Sequence, residues 1–107
     1  MRLLRTTLMT ALCLILLGCV TTAEYAPSKF GEIYPVRRAP AGIEIFRSQN
    51  PTKKYVEIGS VSVCCDVRMD EAVKRMRQAA SEKGGDAIIG LDATANGLVM
   101  ATVVRYQ

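Results

Sequence analysis

Hydrophobic and polar positions change rhythm several times along this chain of 107 residues. Leu8 to Leu17 is almost wholly apolar and follows Arg2 and Arg5. About ten residues are too few to cross a hydrocarbon core, which needs roughly 20. A positive start followed at once by a short greasy run fits a cleaved export signal better than a buried core helix. Polarity then returns, and Pro27, Pro35 and Pro40 punctuate the stretch from Val20 to Gly42. Proline fixes φ and biases its predecessor to extended conformations, so this stretch is expected to be a semi-extended spacer. Such a spacer could hold a domain several tens of ångströms from its start. Tyr25, Phe30, Ile33 and Tyr34 are surplus to a pure spacer; they are expected to dock either on the domain or on a partner.

From Ile43 the pattern tightens. Ile43 to Phe46 reads as a short strand, Ser48 to Pro51 as a turn, and Tyr55 to Val63 as a second strand. In that strand Val56 and Ile58 share one parity while Val61 and Val63 share the other, so the phase slips across Gly59-Ser60. A glycine at the slip predicts a β-bulge; a strand buried on both faces is the alternative. Met69, Ala72, Val73, Met76, Ala79 and Ala80 then form one apolar stripe at helical spacing. Asp70 and Glu71 occupy the first turn and Lys83 the last, and Asp70–Lys74 and Glu71–Arg75 are spaced as ion pairs. Gly84-Gly85 follows and predicts a left-handed helix cap. These glycines close a helix, whereas a phosphate cradle opens one. Ala87 to Leu91 and Leu98 to Tyr106 read as strands flanking Asn96-Gly97, a strong hairpin signal.

The fold class expected is therefore α+β. A small antiparallel sheet of about four strands carries one helix on one face, in the order β-β-α-β-β. The chain divides into a signal peptide at 1–18, a tether at 19–42, and a domain at 43–107. A domain of that size is close to the lower limit for folding alone, so pairing as a homo-oligomer is a candidate source of stability.

The apolar run ends Leu16-Leu17-Gly18-Cys19. This resembles the bacterial lipobox, in which a small residue precedes a lipid-accepting cysteine. The resemblance implies cleavage between Gly18 and Cys19, a diacylglyceryl group on the Cys19 sulfur, and acylation of the new amine. Several acyl chains together anchor stably where one does not. Val20 stands where an aspartate would favour inner-membrane retention. The location implied is the bacterial cell envelope, on the periplasmic face of the outer membrane.

Charge narrows the partners. Without Arg2 and Arg5 the formal charge falls from +4 to +2, with twelve basic and ten acidic side chains interspersed. That is a mixed solvated surface, not a clustered nucleic-acid footprint. Arg37-Arg38 and Lys53-Lys54 read as solvated loop charges. The chain has no histidine, the commonest general base and metal ligand. No spaced carboxylate pair suits acid–base work, and Asp66, Asp70 and Glu71 read as helix-start residues. A non-enzymatic protein is expected, with no cofactor beyond the lipid.

Cys64-Cys65 beside Asp66 is the remaining candidate chemistry. Two thiolates and a carboxylate could hold a soft metal, although a closed zinc site wants four ligands. Consecutive Cα atoms lie about 3.8 Å apart, below the roughly 4.4–6.8 Å of ordinary disulfides. Free thiols or a bridge to another chain are therefore expected, rather than a Cys64–Cys65 bridge.

"KKYVEIGSVSV", "AASEKGGDAIIGL" and "GLVMATVVRY" together resemble the YbjQ-type family, named for heavy-metal binding, and the related RcsF-like domains of outer-membrane lipoproteins that sense envelope stress. The likeness covers about Ile43 to Tyr106 and implies the fold. RcsF-like domains carry disulfides from the loop after the second strand to later elements. Cys64 and Cys65 occupy that loop here, and no cysteine follows them. Two functions follow as expectations: a lipid-anchored sensor or adaptor that binds an envelope protein, or a soft-metal-binding or redox-responsive lipoprotein using Cys64 and Cys65.

Overall fold

The computed structural model describes residues 23–64 and 67–107. The lipobox, with Gly18 and Cys19, and the pair Cys65 and Asp66 lie outside the described residues. The protein is α+β, as its periodicities predict. Its strands are β1 (Glu24–Pro27), β2 (Glu44–Phe46), β3 (Tyr55–Val63), β4 (Ala87–Ala93) and β5 (Val99–Tyr106). One helix, α1 (Met69–Glu82), lies between β3 and β4, and a 3-10 turn at Pro40–Gly42 precedes β2. No helix among the described residues is long and apolar enough to cross a membrane.

The sheet differs from expectation in two ways. It has five strands in the order β1-β3-β5-β4-β2, and it is mixed, because β2 pairs parallel to β4. The additional strand comes from the supposed tether. Glu24 to Pro27 pairs antiparallel with Ser62 to Gly59, so the folded body begins well before residue 43. Proline is tolerated there because β1 is an edge. Tyr25 fixes the pairing: its hydroxyl donates to the Ile58 carbonyl at 2.9 Å, and its ring lies against Gly59. A Cβ on Gly59 would stand 2.4 Å from that ring, so only glycine admits it.

A bulge is present, but at Ile58, just before the slip read across Gly59-Ser60. Glu57 faces Val104 and Gly59 faces Val103, leaving Ile58 as the extra residue. The extra residue lets Ile58, Val61 and Val63 all enter one core despite their unlike parity. That core is filled from the helix by Ala72, Met76 and Ala80, the centre of the predicted stripe. β5 is central and buried on both faces: Val103 joins the helix-side core, and Val104 a smaller cluster with Ala87, Ile89 and Tyr106. The hairpin between β4 and β5 closes where Asn96-Gly97 predicts, with Thr94 N–H donating to the Leu98 carbonyl at 2.8 Å. The predicted i,i+4 pairs on α1 are not closed; Asp70 instead lies 3.5 Å from Arg68.

The end of α1 is a Schellman cap. Gly85 N–H donates to Ala80 O at 2.8 Å and Gly84 N–H to Ser81 O at 3.1 Å. Gly84 takes φ +83°, and the Tyr34 and Pro35 carbonyls crowd where its Cβ would be, at 2.7 and 2.8 Å. Gly85 has ordinary φ, but a Cβ there would stand 2.4 Å from Val103 Cγ1. The two glycines are thus required for different reasons, one by dihedral and one by packing. Gly84→Val and Gly85→Val should each destabilise the domain by at least about 1–2 kcal/mol. The corresponding drop in Tm, roughly 4–8 °C per kcal/mol for a domain this size, is measurable by thermal circular dichroism. Wild-type melting of either variant would contradict the assignment for that position.

Candidate partner-binding site

Between β1 and β2 the chain runs from one edge of the sheet to the other. Residues 34–42 form a strap across the turn that joins α1 to β4. At its centre is Asp86, 1% exposed. Arg38 Nε donates to Asp86 Oδ1 at 3.0 Å, while Arg37 Nη1, at 3.1 Å, and the Tyr106 N–H, at 2.8 Å, donate to Oδ2. Arg37 Nη1 also reaches the Tyr106 carbonyl at 3.1 Å, and the buried Ser81 hydroxyl donates to the Arg38 carbonyl. Arg37 and Arg38 are therefore not the solvated charges that a basic pair in a loop suggests. They neutralise a carboxylate that the fold buries, and a buried carboxylate left unpaired is strongly unfavourable.

Upstream, residues 28–36 form a loop held at both ends. Ser28 N–H donates to the Ile58 carbonyl at 2.9 Å. Tyr34 lies under the Arg105 guanidinium at 5.3 Å, and Arg105 donates to the carbonyls of Pro35 at 3.0 Å and Gly84 at 2.7 Å. Inside the loop, Tyr34 donates to Glu32, and Lys29 lies 3.9 Å from Glu32. The polar side chains are turned to one another, and the large apolar ones are left outside. Phe30 is fully exposed, Ile33 is 93% exposed and Val36 61% exposed.

The four hydrophobic residues of the supposed tether thus separate into two pairs. Tyr25 and Tyr34 dock on the domain; Phe30 and Ile33 do not. Single exposed apolar side chains are common; here two stand at nearly full exposure on one pinned loop, three positions apart. Burying each would contribute about 1.5–3 kcal/mol.

Cys64 leaves β3 at an exposed position and is disulfide-bonded, with a partner outside the described residues. The expectation of a free thiol at Cys64 is therefore corrected. A disulfide sulfur is not the thiolate that soft metals need. Among the described residues no three Cys, Asp or Glu side chains are grouped as metal ligands. Asp70 and Glu71 occupy the first turn of α1, as read.

The Arg37–Asp86–Arg38 cluster was missed by sequence reasoning, although it left one signal. Asp86 stands between a glycine pair and the apolar run Ala87-Ile88-Ile89, a place where an unpaired carboxylate would be costly.

Comparison with known proteins adds the fold alone. No protein-family model matches the chain, and no curated protein matches it. The crystal structure of a Francisella virulence factor, FvfA, is similar, with a TM-score of 0.50 and 15% identity over 80% of this chain and 98% of that one.

Two predictions follow from the strap. Asp86→Asn removes the charge that both arginines face and should cost about 2–3 kcal/mol, read as a lower midpoint in urea unfolding. An unchanged midpoint would mean that the cluster contributes nothing to stability. Burial, reinforced by the Glu44 carboxylate, raises the Tyr106 phenol above its ordinary value of about 10 despite the opposing Arg38 charge. Because the folded state favours the neutral phenol, this contribution to stability is complete below that value and is lost as pH rises through the folded-state pKa. Tyr106→Phe should flatten the alkaline limb of the stability–pH curve.

Proposed function

We propose that this chain is a non-enzymatic lipoprotein, anchored through acyl groups on Cys19, that serves as a protein-binding sensor or adaptor in the bacterial envelope. The observation that carries this reading is the pinned loop that leaves Phe30 and Ile33 in solvent. A side chain there has no role in the core, and an apolar side chain costs solubility unless something covers it. The lipobox-like Leu16 to Cys19 supplies the anchor, and the RcsF-like motifs support the outer-membrane location on its periplasmic face. The absence of histidine supports a binding role over catalysis.

The strand β1 changes the geometry expected of the anchor. Only Val20 to Ala23 separate Cys19 from the first sheet residue, Glu24. At roughly 3.3–3.6 Å per residue this spans less than about 20 Å. The domain is held close against the bilayer, not several tens of ångströms away.

A second reading rests on Cys64. Its disulfide favours a redox response over soft-metal binding, because reduction would have to precede thiolate coordination.

A photo-crosslinking residue placed at Phe30 in living cells tests the adaptor reading, with one at Met100, 45% exposed and elsewhere on the domain, as control. One discrete protein adduct should form from position 30 and not from position 100. It should be lost with Ile33→Asp and with Cys19→Ser, which releases the domain from the membrane. Equal adducts from both positions would overturn the docking site. Incorporation of labelled palmitate into Cys19→Ser would overturn the anchor.

A further inference from the structure

The start of the described chain keeps step with one flank of α1. Tyr25 lies under the Lys83 ammonium at 5.5 Å, just past the end of the helix. Two residues upstream, Ala23 shares a groove with Ala79, one turn back. The chain therefore runs antiparallel to α1 here, and the two periods agree. Two strand residues advance about 6.6 Å and four helical residues about 6 Å. Tyr25 and Ala23 also share parity, and both pack on the helix-side core.

The groove does not stop at Ala23. Its volume is about 400 Å³, and beyond Ala79 its walls are Gln78, Arg75, Lys74 and Glu71. From Ala79 back to Glu71 the helix spans about 12 Å. From Ala23 back to Cys19 an extended chain spans about 13 Å. β3 cannot accompany that chain, because Glu24 pairs with Ser62 and so Ala23 comes opposite Val63, the last residue of β3. The flank of α1 is the surface left alongside. Val20, Thr21 and Thr22 are all β-branched, the type that favours extended backbone.

We infer that residues 20–22 lie extended in this groove, with Thr21 beside Arg75 and Cys19 brought to Glu71 in the first turn of α1. Thr21 has the inward parity of Ala23 and Tyr25, and Gln78 offers the passing backbone an amide donor and acceptor. The seating of the segment does not depend on a lipid. Its consequence does, and rests on the anchor proposed above: acyl groups on Cys19 hold the first turn of α1 toward the bilayer in one orientation, where a free leash would let the domain swing.

The test uses the mature chain, isotope-labelled and purified from membranes in detergent. Intact mass reads the acyl groups and NMR reads the segment, so anchor and seating fail separately. The Thr21 methyl should give a nuclear Overhauser cross-peak to the Arg75 side chain. The Thr21 and Thr22 amides should exchange at least about tenfold more slowly than in an unstructured chain. Arg75→Ala should restore fast exchange at both while β4 and β5 keep their protection, and Arg68→Ala, outside the groove, should change nothing. If Arg75→Ala loosens the whole domain, Gln78→Ala, at an exposed position, serves in its place. A missing cross-peak overturns the seating. So does protection that survives in the folded groove variant, which belongs to the micelle, or that falls on dilution, which places a second copy in the groove. Acylated mass without protection overturns the seating alone, and protection with an unmodified Cys19 overturns the anchor alone.

Discussion

The buried carboxylate of Asp86 is the constraint on which the architecture turns. It occupies the last position before β4, at 1% exposure, where no water can compensate its charge. The fold resolves this by bringing two guanidinium groups and a backbone N–H to its two oxygens. The guanidinium groups belong to residues 37 and 38, which lie 49 and 48 positions away. Neutralising Asp86 therefore means folding the N-terminal third of the described chain back over the sheet end.

Other features follow from that return. The strap enters at the turn between α1 and β4, so β2 and β4 both leave from the same end of the sheet and must run in the same direction. Glu44 N–H meets the Asp86 carbonyl at 3.4 Å, where the parallel pairing begins. The strap also needs room to pass. Gly84 leaves space for the Tyr34 and Pro35 carbonyls, and Gly85 lets the turn approach Val103. The glycine pair thus serves the helix cap, the strap and the core at once. The loop before the strap is stretched between two fixed points, Ser28 on β3 and Pro35 under Arg105. Its apolar side chains find no core within reach and stay outside.

This arrangement links the start of the sheet and the loop through one short path. Glu24 to Pro27 is paired along β3, and the exposed loop follows at once. Any displacement of the N-terminus relative to the sheet would act first on β1, a four-residue edge strand held by one neighbour. The strap beyond it is held by charge-assisted hydrogen bonds, which are stronger than neutral ones.

What was legible in the sequence is what depends on near neighbours. The α1 stripe, the slip at Gly59, the Asn96-Gly97 hairpin and the glycine cap are written in spacings of a few residues, because the forces behind them act over one turn or one strand pair. The apolar and aromatic surplus around Phe30 was also visible, but not which residues would dock. Tertiary structure alone decided that. Tyr25 found the bare backbone of Gly59 and Tyr34 found Arg105, partners 34 and 71 positions away, and no spacing rule reaches so far. The same reason hid β1, whose four residues have no useful alternation and contain a proline. It hid the parallel pairing of β2, and it made Arg37 and Arg38 look like loop charges. A basic pair looks the same in sequence whether it faces water or a buried carboxylate, and only the folded chain brings the carboxylate to it.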